Sequence, residues 1–458
     1  MRRLSTLLVI GLLGLGSLLA ACSTGSSKST PAPSTAALAS PPAAGTSPAT
    51  AAATTPPETA TAGTSATPAG QGSATQAPPP AATPAPTAAP SPAPTPAPTA
   101  PTGPPQPHQV AGGTIMLPAG FDIGVYATGL GNPRFMAVRP SDGLLFVTDM
   151  RGGRILILPD DNHDGKADRA LVFASGLNLP SSLAFYQDWL YVGETNQVSR
   201  FRAPQGALTP EGGKEVVVPN LPSGGQHFTR TVAIGPDNKL YVSVGSSCNV
   251  CVEQDKRRAA ISVYDIDGSN GRLFATGLRN AVGLAFQPGT DQLWATVNGR
   301  DNLGDNLPPD ALRRIDDGAF YGWPYCYNGQ HLNPEFDDPS KCNGSPPITV
   351  PLPAHSAALG LTFGAGLHAP QPYQESIYIA YHGSWNRSVP TGYKVVRVPL
   401  TNGQPGQPED FAWGWLPGAA NNPGQVWGRP VGVTVGADGA LYVSHDSTGL
   451  VYRISFGG

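Results

Sequence analysis

One phrase of apolar and polar positions recurs six times along the second part of the chain. A polar turn leads into an apolar-Ala/Thr-apolar run, then a turn carrying Pro, Asp or Gly, then Leu-Tyr-Val or a close relative. It reads MAV then LLFV (Met136, Leu144), LAF then WLYV (Leu183, Trp189) and VAI then KLYV (Val232, Lys239). It returns as LAF then QLWA (Leu284, Gln292), LTF then SIYI (Leu361, Ser376) and VTV then ALYV (Val433, Ala440). Short β-branched and aromatic runs bounded by turn residues predict strands. Their return about every 45 to 80 residues predicts a repeat architecture. The expectation is an all-β fold, a six-bladed β-propeller over residues 110–458, with one phrase per blade.

The repeat supplies a common phase against which unusual residues stand out. Four or five positions before each first strand lie Asn132, Asn178, His227, Arg279 with Asn280, Ser356 and Arg429. The innermost strands of a propeller surround one channel, so equivalent positions of different blades converge at its mouth. Hydrated, ligand-free strand ends would account for polar residues there. An imidazole, two guanidiniums and several amides also suit an anionic cofactor and a proton acceptor.

The chain ahead of the repeat differs in kind. Met1-Arg2-Arg3, an apolar run from Leu7 to Ala21 and Leu19-Ala20-Ala21-Cys22 have the form of a bacterial lipoprotein signal, residues 1–21, with Cys22 as the lipidated residue. The run is short for a bilayer span. Residues 22–109 are almost all Ala, Pro, Thr, Ser and Gly. Such a segment buries too little surface to offset its ordering entropy and is expected to be a disordered, partly polyproline tether. The expected location is extracytoplasmic, anchored to a membrane through the N-terminal lipid. A net charge of −3 with no basic run argues against nucleic acid as a partner.

Besides Cys22 there are Cys248, Cys251, Cys326 and Cys342. In an oxidising compartment they are expected to form two disulfides, most simply Cys248 with Cys251 and Cys326 with Cys342, although three pairings exist. Val252 follows Cys251, so the pair is not a covalent haem site. Asp160, Asn162, Asp164 and Asp168 place alternate oxygens around Gly165, as in short calcium loops, but position twelve is Leu171 instead of Glu. An insertion after the fourth phrase carries Tyr321, Trp323, Tyr325 and Tyr327, either packing or a stacking face for sugar rings.

The stretches GGQHFTRTVAIGPDNKLYVSVGSSCNVC (Gly224 to Cys251), GLRNAVGLAF (Gly277 to Phe286), NGRDNLGDNLPPD (Asn298 to Asp310), YGWPYC (Tyr321 to Cys326) and YHGSWNRS (Tyr381 to Ser388) resemble the glucose/sorbosone dehydrogenase family. The resemblance implies a six-bladed propeller that oxidises a sugar using pyrroloquinoline quinone (PQQ) and calcium. It implies electrons passing to an external acceptor, a cytochrome or quinone. Within it, His227 matches the catalytic base, and Arg279 with Asn280 matches the pair on the quinone oxygens. Arg429 matches a carboxylate partner of PQQ. Gly299 and Arg300 match the turn that holds the cofactor-side calcium, with Asp305 retained from an associated turn. The chain departs from the family at Trp427, where some members carry arginine, at His382, where they carry lysine, and at Asn306, where an acidic residue is usual. No glutamine stands between Leu177 and Ser181, where sugar-oxidising members place one. The rival readings are a calcium-centred propeller lactonase and a propeller that binds glycans or proteins without catalysis.

Overall fold

The computed structural model describes residues 103–419 and 422–457. The signal segment, Cys22 and nearly all of the tether lie outside the described residues.

Six consecutive stretches of chain each fold back and forth into an antiparallel sheet, as alternate apolar positions separated by tight turns require. Five of the sheets have four strands. The first comprises Pro133–Val138, Leu145–Asp149, Arg154–Leu158 and Leu171–Ser175. The next three begin at Ser182, Arg230 and Asn280. The last in sequence starts at Pro430 and takes its outer strand from the other end of the domain, where Phe121–Ala127 pairs with Leu450–Phe456. This exchange ties the two ends of the domain together.

The fifth phrase does not form a regular four-stranded unit. Its strands Ala358–Phe363, Ser376–Tyr381, Lys394–Thr401 and Glu409–Trp413 are extended by Gly113–Leu117 and Gln106–Val110 and, with the short Gln404–Pro405 paired to Lys394–Thr401, make a seven-stranded sheet. The strand at Gln106 also begins ahead of the boundary drawn at Val110, because paired strands, unlike composition, decide where order starts. The fold is an all-β propeller. Among the described residues, helix is limited to one turn at Gln371–Gln374 and a short 3-10 segment at Pro339–Cys342.

The first strands of all six sheets contribute to one central cavity of about 200 Å³, lined by residues that include Phe135, Leu183, Val232, Leu284, Leu361 and Val433. Hydroxyl groups stitch neighbouring sheets around it. Ser182 Oγ donates to the Arg230 carbonyl at 2.8 Å, Thr231 Oγ1 to Val282 at 2.5 Å, Thr296 Oγ1 to Leu359 at 2.6 Å and Ser444 Oγ to Arg134 at 2.5 Å. The strands come so close that a Cβ on Gly283 would lie 2.4 Å from the Leu359 carbonyl. Small residues and hydroxyls thus replace large side chains where sheets converge, while aromatic and aliphatic residues fill the widening gaps farther out.

His445, at the end of Leu441–His445, is fully buried against Trp415 and Tyr452, with no hydrogen-bond partner on either ring nitrogen. Burial pushes its pKa down to about 3. The folded state therefore prefers the neutral ring, and this contribution to stability is complete above about pH 6.5 and is lost as pH falls toward 3. A His445→Phe variant is expected to flatten the acid side of the thermal-midpoint profile between those values. An unchanged slope would show that His445 does not carry that acid sensitivity.

Candidate active site

A second cavity, about 190 Å³, opens at the end of the channel where the innermost strands begin. His227, Arg279, Asn280, Asn298, Gly299, Asp301, Asp310, His355, Ala357, Trp385 and Asn386 line it. His227 lies on the loop before the inner strand Arg230–Ile234, and Arg279 and Asn280 stand at the start of Asn280–Phe286. Gly245 makes their approach possible: a Cβ there would lie 2.6 Å from that of His227 and 2.5 Å from Asn280 Oδ1.

His227 Nδ1 lies 3.0 Å from the Ser246 carbonyl and 2.9 Å from Ser246 Oγ. A ring that donates from Nδ1 leaves Nε2 as the acceptor. Burial, followed by the positive charge of Arg279, pushes the His227 pKa down to about 3, while the Ser246 bond opposes the shift. At neutral pH the ring is an uncharged acceptor.

Arg279 is 4% exposed and has a left-handed backbone, φ 36°, a conformation that costs a non-glycine residue about 1 kcal/mol or more. All its donors are engaged. Nε bonds the Asn249 carbonyl at 3.2 Å, one amino group reaches the Asn298 and Gly299 carbonyls at 3.4 and 2.5 Å, and the other reaches Asn249 Oδ1 and Asp301 Oδ2 at 2.9 and 3.0 Å. Burial lowers its pKa and Asp301 opposes this. Since arginine remains charged in proteins, the group supplies a fixed cation. Asp310 is buried beside it. Burial pushes its pKa up to about 6 against amide bonds from Gly299 and Ala357, both 2.9 Å long.

The other residues anticipated from the sequence are distributed differently. Arg429 bonds the His382 and Gly383 carbonyls, and those residues in turn donate from their amides to Ala357 and Ser356. It is adjacent to the cavity but not among its lining residues. His382 is turned onto Asp446, 3.0 Å away, which also accepts from Arg134 at 2.8 Å. Burial lowers the His382 pKa, and although burial raises that of Asp446, the bonds and charges of His382 and Arg134 hold the carboxyl well below the usual range. Arg300 points away into the insertion, with Glu335 at 2.6 and 2.8 Å and Asn333 at 3.1 Å.

A calcium at Gly299, Arg300 and Asp305 does not fit this arrangement. The Gly299 carbonyl is occupied by Arg279, and the Asp305 carboxylate accepts from the Ser388 amide and hydroxyl. In the Asp160 loop the side-chain oxygens cap backbone amides: Asp160 those of Asp164 and Gly165, Asn162 that of Asp164, and Asp168 that of Asp161. These bonds build a polar hairpin. Among the described residues, three His, Cys, Asp or Glu ligand atoms come together only at Cys248, Cys251 and Glu253, where the sulfurs are joined to each other. The disulfides are Cys248–Cys251 and Cys326–Cys342, as the simplest pairing anticipates.

PQQ suits the cavity better. The Arg279 charge, the free Nε2 of His227, the buried Asn386 Oδ1 that lacks a partner and the largely exposed ring of Trp385 match an anionic, flat, oxygen-rich molecule. Sequence phase missed Asn298, Asp301, Asp310, Trp385 and Asn386. Asn298 ends one strand and Asp310 begins the next, while Asp301, Trp385 and Asn386 belong to loops after strands; none carries a common phase, although each lies in or beside a stretch with family resemblance. Tyr321 and Trp323 are buried, which assigns them to packing.

A family model described as TrAA12-like matches residues 115–334 and 329–456. An uncharacterized protein of Borreliella burgdorferi is 32% identical over 224 residues, covering 48% of this chain and 58% of its own. The pyrroloquinoline quinone-dependent pyranose dehydrogenase of Coprinopsis cinerea is 32% identical over 291 residues, covering 50% of this chain and 39% of its own. The chain thus spans less than two thirds of the length of these relatives. The solved holo form of the PQQ domain of pyranose dehydrogenase from Coprinopsis cinerea superposes with a TM-score of 0.64 at 25% identity, covering 74% of this chain and 97% of that domain.

Proposed function

The chain belongs to the TrAA12-like family, and on that premise we propose that it is a PQQ-dependent dehydrogenase that oxidises a sugar and passes electrons to an external acceptor. The seven-stranded sheet is taken as the sixth blade, enlarged at its edge. The observation that carries the reading is the pairing in one cavity of His227, held with Nε2 free, and the buried cation of Arg279.

PQQ, when bound, supplies a two-electron acceptor for the hydrogen leaving the sugar carbon. His227 Nε2 takes the proton of the sugar hydroxyl as a general base. Arg279 stabilises negative charge that develops in the cavity, a task for which a preorganised, water-excluded cation is effective. Asn280 Nδ2, 3.3 Å from Asn298 Oδ1, and Asn386 are the amides placed to orient the cofactor. Arg429 and His382 hold the adjoining loop. Trp385 offers an apolar face of the kind on which sugar rings stack. A calcium-centred lactonase is not favoured, since the two cavity carboxylates, Asp301 and Asp310, are already bonded to protein donors.

The basic start, apolar run and Cys22 support a lipid-anchored, extracytoplasmic protein whose tether gives the domain reach from the membrane. Titrating the full chain with PQQ, then supplying an aldose and pyranose panel with an electron-accepting dye, tests the function. Saturable quinone binding with sugar-dependent dye reduction is expected. Failure to bind PQQ would sink the dehydrogenase reading in favour of a non-catalytic binding propeller.

A further inference from the structure

The Cys248–Cys251 disulfide has no part in the chemistry just described, yet its short loop bonds Arg279 directly and reaches His227 through Ser246. Asn249 lies inside the disulfide ring. Its carbonyl accepts from Arg279 Nε at 3.2 Å and from Trp323 Nε1 at 3.1 Å. Its side-chain oxygen accepts from Arg279 at 2.9 Å and from the Asp301 amide at 2.8 Å, and its Nδ2 donates to the Asp301 carbonyl at 3.1 Å. Two of the three guanidinium nitrogens of Arg279 therefore rest on this one residue. On the other side, Cys248 O accepts from Ser246 Oγ at 2.7 Å, and that hydroxyl lies 2.9 Å from His227 Nδ1. The Ser246 amide donates to the Arg279 carbonyl at 2.7 Å, and Glu253 closes the loop by accepting from the Ser247 amide at 2.5 Å and hydroxyl at 2.8 Å.

We propose that the disulfide-closed loop Cys248–Cys251 is the positioning element of the active site, with Asn249 fixing the Arg279 guanidinium and Cys248, through Ser246, fixing the ring of His227. The loop contains no strand or helix. A free four-residue segment of this kind would sample many backbone states, whereas a covalent ring presents Asn249 in a narrow set. Reactive groups lose rate when their supports shift by a fraction of an ångström, which gives a staple remote from the chemistry a kinetic consequence. Trp323 extends the same support into the insertion, its indole buttressing the loop.

The proposal rests on the dehydrogenase reading for its activity measurement, and the test separates the two. Asn249→Ala, Asn249→Asp, the double variant Cys248→Ser/Cys251→Ser and Arg279→Ala are compared with the unmodified chain for PQQ affinity by quinone absorbance and for kcat and KM per bound PQQ. Asn249→Ala is expected to lower kcat roughly 10- to 100-fold, the range that supporting partners of reactive groups carry. KM for sugar should change little and PQQ affinity should weaken several-fold. Asn249→Asp keeps both acceptor contacts of the side chain but sets an oxygen against the Asp301 carbonyl in place of the Nδ2 donor, so partial recovery of kcat over Asn249→Ala is expected, which a general packing defect would not allow. The double serine variant should resemble Asn249→Ala. If it does not fold, Asn249→Ala, which keeps the disulfide, decides alone. Turnover per bound PQQ within about twofold of the unmodified chain in Asn249→Ala, while Arg279→Ala is impaired, overturns the positioning role and leaves the dehydrogenase reading intact. Unimpaired Arg279→Ala overturns that reading, and the proposal with it.

Discussion

Turnover of the His227→Ala variant is expected to fall by about 100- to 10,000-fold, the range associated with losing a positioned general base, while PQQ still binds. The expectation follows from geometry. Ser246 engages Nδ1, so the ring presents Nε2 to the cavity in a fixed tautomer. With its pKa pushed down to about 3 by burial and by Arg279, the ring is neutral and carries no proton on Nε2 throughout the neutral range. The same shift has a stability counterpart. The folded state favours neutral His227, so its contribution is complete above about pH 6.5 and is lost as pH falls toward 3. His227→Ala should therefore lose activity at pH 7 while becoming less sensitive to acid unfolding. The decisive measurement is kcat per bound PQQ, and unchanged turnover would remove His227 from the chemistry.

Arg279→Ala should have the next largest effect, and should damage both catalysis and stability. Removing the guanidinium leaves Asp301 without its 3.0 Å ion pair and strips donors from the Asn249, Asn298 and Gly299 carbonyls in a buried setting. Breaking a buried pair on one side typically costs about 3–5 kcal/mol. Loss of a preorganised electrostatic group typically lowers kcat by about 100- to 1,000-fold. Arg279→Lys should recover little, because one ammonium cannot span the five acceptors that the planar fork reaches. Denaturant unfolding and steady-state kinetics on the same preparations check both parts. A variant that remained as stable as the parent would contradict the role assigned to these bonds in holding the loops together.

How much of this was legible in the chain varies from one residue to another. His227, Arg279 and Asn280 could be found because they share the repeat's phase, and the fold turns equal phase into equal radius and height around the channel. Arg429 shares the phase but sits one strand end away from the cavity, on the carbonyls of His382 and Gly383. Phase specifies where a backbone position lies, whereas the direction of a long side chain depends on the acceptors nearby. Arg300 illustrates the same point, since Glu335 draws its guanidinium out into the insertion.

Asp301, Asp310 and Asn386 had no such signal. Asp310 opens the strand Asp310–Ile315 and the other two lie in loops of unequal length, and only closure of the ring brings residues 301 and 386 within hydrogen-bonding distance, 2.8 Å from Asn386 Nδ2 to Asp301 Oδ1. The calcium expectations failed to find a matching geometry for a related reason. A list of oxygen-bearing residues says nothing about whether those oxygens are free. In the Asp160 loop backbone amides take them, and at Gly299 a guanidinium does.

The chain by itself determined the all-β repeat, the strand positions and the simplest cysteine pairing, because each depends on neighbours close in sequence or on composition. The tertiary structure alone decided that the fifth repeat recruits two strands from the start of the domain. It alone decided which polar groups face the cavity and which are consumed by one another, and that a four-residue disulfide loop bonds Arg279 directly and, through Ser246, adjoins His227. Those outcomes depend on distances between residues far apart in sequence, and on competition among donors for a limited number of buried acceptors, neither of which is encoded in any local pattern.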